Sequence, residues 1–72
     1  MIIAENQRLK EKIVAEIGEY YGSTEEKTLD NGTKIYMILP RPGFRMLPLG
    51  YFPSEELALM SFRDYLKDRK LI

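Results

Sequence analysis

Apolar residues Ile2, Leu9, Ile13, Ile17 and Tyr20 recur at steps of three, four or seven, with Ile3, Val14 and Tyr21 on one flank. That spacing predicts an amphipathic helix over residues 2–21. Its opposite side carries Glu5, Arg8, Lys12, Glu16 and Glu19, spaced so that unlike charges can meet in water. Gly22 follows the last periodic residue and suits a left-handed helix cap.

After Gly22 the period changes to that of strands. Residues 25–29 and 33–39 flank Asp30-Asn31-Gly32, a strong hairpin signal. A two-residue turn would place Leu29 on the face of Tyr36 and Ile38. A three-residue loop with Gly32 left-handed places it with Ile35, Met37 and Leu39, and the second register is preferred because it gathers one strongly apolar face. Pro42-Gly43 supplies the next reversal, and a third strand is expected over residues 44–51, at an edge because Pro48 lacks a donor.

Ser54 is a good N-cap, with Pro53 before it and Glu55 and Glu56 in the first turn, where negative charge meets the positive helix end. A second helix is expected from there to about residue 70, with the stripe Ala58, Leu59, Phe62, Tyr65, Leu66 and Ile72. Leu57, Met60 and Leu71 fall on a different side.

The expected architecture is therefore α+β, in the order helix, three-stranded antiparallel meander, helix (αβββα), with both helices on one sheet face. That face would be Leu29, Ile35, Met37, Leu39, Phe44, Met46 and Phe52. The other, carrying Tyr36, Ile38, Leu47, Leu49 and Tyr51 beside Lys34 and Arg45, would be left open as a patch larger than a monomer normally exposes. Two alternatives bear on this. The helices could sandwich the sheet, one per face, or a longer loop at residues 40–43 could move Phe44, Met46 and Phe52 to the side of Tyr36.

Seventy-two residues suffice for one hydrophobic core, hence one domain. Eleven basic and eleven acidic residues cancel, yet residues 1–30 hold four bases against seven acids, and between Asn31 and Ser54 there is no acid at all, only Lys34, Arg41 and Arg45. The chain has no cysteine and no histidine, which excludes disulfides, thiolate metal sites and the usual proton shuttle. No Gly-rich phosphate loop is present, and Ser23, Ser54 and Ser61 have no base partner in reach of the pattern. No catalytic residue, metal ligand or cofactor site is expected, and the protein is expected to be no enzyme. Without cysteines, or an apolar run long enough for a leader or a span, a cytoplasmic domain that does not enter a membrane is expected.

The stretch Leu49-Gly50-Tyr51-Phe52-Pro53-Ser54-Glu55-Glu56-Leu57-Ala58, continuing to Phe62 and Leu66, resembles the last strand and helix of the Apetala-two-type DNA-binding domain of plant factors and phage integrases. The shared pattern is Leu-Gly-x-Phe, a capping hydroxyl residue, Glu, then Ala on the helix. That family reads DNA with a three-stranded sheet, so the resemblance implies Lys34, Tyr36, Arg45 and Tyr51 as contacts.

The leading expectation is a non-catalytic protein-interaction module, a regulator or inhibitor, that binds a protein partner through Lys34, Tyr36, Arg41, Arg45, Leu49 and Tyr51. Leu57, Met60 and Leu71 form a second candidate interface. Nucleic-acid binding by the sheet is the alternative, resting on local positive charge and stacking aromatics. A homodimer that hides the surplus apolar surface against its own copy is a third.

Overall fold

In the computed structural model, residues 2–72 are described, with side chains from residue 7 onward. Helix α1 (Ile2–Ile17) passes into a 3-10 turn (Gly18–Tyr20), strand β1 (Tyr21–Thr28) pairs antiparallel with β2 (Lys34–Pro40), and helix α2 (Glu55–Asp68) closes the chain. The first helix ends four residues earlier than its apolar pattern implies. Gly18 takes the positive φ of +61° at which the helix stops, so Tyr20 and Tyr21 continue the apolar stripe from outside the helix.

Gly22, expected as the cap, lies instead in β1 as the extra residue of a bulge, between the pairs Tyr21–Pro40 and Ser23–Leu39. A Cβ at this position would stand 2.7 Å from the carbonyl oxygens of both Leu39 and Pro40, so only glycine lets the strands approach here. At the other end of the hairpin, the Leu29 N–H donates to the Thr33 carbonyl at 2.8 Å around the three-residue loop Asp30-Asn31-Gly32. The Asn31 side chain accepts from the Thr33 N–H, and Gly32 is left-handed.

The three-stranded meander is not formed: the sheet has two strands. Residues 41–53 return along the free edge of β2 but touch its ladder at one place, where Tyr36 and Phe52 exchange backbone hydrogen bonds of 2.8 and 2.7 Å. The cause is local. Gly50 sits at φ +114°, outside the range of an extended strand, Pro48 has no N–H to give, and a tight Met46 N–H to Phe44 carbonyl bond curls the chain further back.

The hydrophobic core is Ile13 and Ile17 of α1, Ile38 of β2, and Ala58, Leu59, Phe62 and Leu66 of α2, with Tyr20, Tyr36, Met46 and Phe52 among those packed around it. Strand alternation puts Tyr36 and Ile38 on one face and Ile35, Met37 and Leu39 on the other. The helices therefore cover the Tyr36/Ile38 face, the reverse of the expected choice. The return segment decides this. Phe52 pairs with Tyr36 and so shares its side, and Met46 joins the same core, as the longer-loop alternative requires. Phe44 stacks on Tyr20, ring centroids 4.6 Å apart.

Helix α2 begins where Ser54 Oγ accepts the Leu57 N–H at 3.1 Å. The two helices run in the same sense. Lys10 of α1 meets Glu55 at 3.1 Å, and Glu16, further on, meets Arg63 at 3.5 Å and Lys67 at 3.7 Å. Glu16, read as part of a solvated face, is thus half-buried against α2. Ile72 lies outside the core and is exposed. Among the described residues no helix is long and apolar enough to cross a membrane.

Candidate interaction surface

One face of the hairpin has no helix over it. On β1 it presents Ser23, Glu25, Lys27 and, past the strand end, Leu29. On β2 it presents Ile35, Met37 and Leu39. These three apolar side chains are half-buried, and they lie away from the core cluster that Ile38 joins. Leu29 keeps 39% of its surface exposed. The result is an apolar row on β2 beside a charged row on β1.

Tyr51 forms a third row. Since Phe52 faces the core with Tyr36, its neighbour Tyr51 falls on the outer side, next to Met37. Its hydroxyl donates to the Glu25 carboxylate on the far side of Met37, and the Lys27 ammonium lies 5.7 Å from its ring centroid. The hydrogen bond to Glu25 raises the Tyr51 pKa, with smaller contributions from partial desolvation and the Glu25 charge. An aromatic side chain thereby reaches over the outer face and is 40% exposed.

The expected partner-binding residues are not assembled into one surface. Lys34 is exposed at one end of β2, while Arg41 follows its other end, with six strand residues between them. Tyr36 is half-buried against the core and Tyr51 lies on the opposite side. Arg45 is exposed on the return segment, as are Leu47, at 84%, and Leu49. Of the second group, Leu57 is in the first turn of α2 and Leu71 lies beyond its end, while Met60 packs against the core. A three-stranded DNA-reading sheet, as the family resemblance implies, is likewise not built.

The sequence pattern does not mark Glu25, Lys27, Ile35, Met37 and Leu39 as a surface. The signal that would have found them is Phe52: it immediately precedes the Pro53-Ser54 cap, so it must lie close to α2, and whichever β2 residues share its side face the helix.

A concavity of about 390 Å³ runs between α1 and the start of α2, lined by Gln7, Lys10, Glu11, Val14, Ala15, Glu55 and Leu59. Of its charged groups Lys10 pairs with Glu55, while Glu11 accepts a hydrogen bond from the Gln7 amide. The hydrogen bond from Lys10 to Glu55, reinforced by the Glu55 charge, holds the ammonium pKa above its ordinary value. Among the described residues no group of His, Cys, Asp or Glu side chains has metal-site geometry. Protein-family models, curated proteins and solved structures were compared with the chain, and none matches.

Proposed function

We propose that this protein is a non-catalytic interaction module whose docking surface is the outer sheet face built on Ile35, Met37 and Leu39 and crossed by Tyr51. The observation that carries the reading is the row of three apolar β2 side chains on the side without helices, edged by Glu25 and Lys27. Such a row with an aromatic anchor and a polar rim has the composition of a protein-binding patch. A nucleic-acid surface would need its cations gathered, and here Lys34 and Arg41 stand at opposite ends of a strand of seven residues, roughly 20 Å apart by strand rise.

Photo-cross-linking tests the reading by position. A photoreactive phenylalanine analogue at Leu39, or at Ile35, should trap one defined protein species in an extract of the source cells. The same group at Lys12, on the exposed side of α1, should trap none. Addition of Met37→Glu should remove the cross-link while circular dichroism shows the fold retained. Cross-links of equal yield from both surfaces, or none from the sheet, would overturn the proposal.

A further inference from the structure

Glu25 and Lys27 lie two residues apart on one strand of the outer face, directly beside Met37 and Ile35, their partners across the ladder. This arrangement is complementary to itself. Consider a two-fold axis in the plane of the outer face, perpendicular to the strands, passing over the Glu26–Tyr36 pair. It lays a second hairpin face to face on the first with each strand reversed. Glu25 then stands over Lys27 of the copy, Lys27 over Glu25, and Met37, with the Tyr51 side chain that crosses it, over Ile35.

We infer that the occupant of the outer sheet face is a second copy of this chain, packed by that two-fold axis, with two Glu25–Lys27 contacts flanking a shared apolar centre. The inference rests on the reading of this face as the docking surface and names its partner. Two sheets stacked at their usual spacing would interleave Ile35, Met37 and Tyr51 from both copies, with Leu39 at the margin over Thr33. An isologous contact needs every group to find its complement on the same patch. Shifting the axis by one residue pair along the strands would set Glu25 over Glu25 of the copy and Lys27 over Ser23, or Lys27 over Lys27 and Glu25 over Leu29, so the charges select one register.

Size sets the strength. Three rows at strand spacing and seven residues of strand rise give a footprint of roughly 23 by 14 Å. That is well below the ~800 Å² per partner of a standard interface, so the dimer is reversible and weak. Glu25 and Lys27 are both exposed in the monomer, so exchanging their charges leaves the core untouched; Lys27→Glu also keeps the Tyr51–Glu25 hydrogen bond and so separates the charge effect from loss of that tie.

The experiment is sedimentation equilibrium of the full chain, up to about 1 mM because weak interfaces need such concentrations. Four proteins are compared: the unaltered chain, Glu25→Lys, Lys27→Glu and the double exchange, each checked for fold by circular dichroism. The unaltered chain should dimerise, and either single reversal, which brings like charges together twice per dimer, should weaken association about tenfold or more. The double exchange should restore it to within about threefold, since opposite charges meet again. A monomer at every concentration, equal association in all four proteins, or a double exchange as weak as the singles overturns the inference. Should the chain stay monomeric while Leu39 cross-links to a different protein, the docking reading stands and the self-pairing falls.

Discussion

The Tyr51 hydroxyl and the Glu25 carboxylate join across Met37, one from the return segment and the other from β1, although the two segments share no backbone hydrogen bond. Because the return segment contacts the β2 ladder only at Tyr36–Phe52, this side-chain bond is a second tie between it and the sheet. It also tells the two faces of the hairpin apart: Phe52 anchors the segment from the core side and Tyr51 from the open side.

The bond has a pH signature. Tyr51 has its pKa raised above the ordinary 10.0, chiefly by donating to Glu25. The fold thus favours the neutral phenol, and its contribution to stability is complete below the unfolded tyrosine value and disappears as pH rises through the higher folded value. Lys10 behaves in the same direction, its ammonium favoured by Glu55 above the usual 10.5. Ultraviolet phenolate titration should show the Tyr51 phenol ionising late. Tyr51→Phe should remove that late step, and Glu25→Gln should bring it back toward the ordinary value. A late phenolate that survives Tyr51→Phe would refute the assignment.

The two faces of β2 should differ sharply in what they cost to disturb. A domain of this length has a total stability of about 4–10 kcal/mol. Ile38, 3% exposed and packed among Ile13, Leu59 and Phe62 in the core cluster, should lose about 2–4 kcal/mol on replacement by alanine. Met37→Ala, one residue away but on the open side, should cost about 1 kcal/mol or less. Urea unfolding of the two variants reads the difference directly, and equal losses would mean that the open face is covered in the monomer.

That choice of face is where the sequence is hardest to read. Both helices follow from spacing and from the Ser54 cap, and the hairpin follows from Asp30-Asn31-Gly32, because in each case the deciding contacts are local. The third strand looks plausible for the same reason: Phe44 and Met46 alternate as strand residues do. Their apolar character in fact serves contacts far away in the chain, Phe44 with Tyr20 and Met46 with the core. Which side of β2 meets the helices depends on how residues 41–52 align with it, and one bridge fixes that alignment. Since Tyr36 and Ile38 are about as apolar as Met37 and Leu39, composition alone leaves the two faces nearly degenerate. The candidate surface inherits that degeneracy, so the sequence pattern groups Tyr36 with Tyr51 although they occupy opposite sides.

The end of α2 holds a residue out of its preferred conformation. Leu71 N–H donates to the Leu66 carbonyl at 2.9 Å and Lys70 N–H to the Lys67 carbonyl at 3.0 Å, the two bonds of a Schellman cap. The motif wants glycine at its left-handed position, and here Lys70 occupies it at φ 57°. A residue with a Cβ costs roughly 1 kcal/mol or more in that region, whereas a lysine charge near the last carbonyls returns only about 0.3–1 kcal/mol when exposed. Lys70→Gly should therefore raise stability by about 0.5 kcal/mol net. Lys70→Ala loses the charge and keeps the Cβ, so it should be less stable than the glycine variant by about 1 kcal/mol. The midpoint of urea unfolding, with the slope unchanged, measures both. If alanine proved as stable as glycine, the left-handed cap at Lys70 would be excluded as the conformation the helix end adopts in solution.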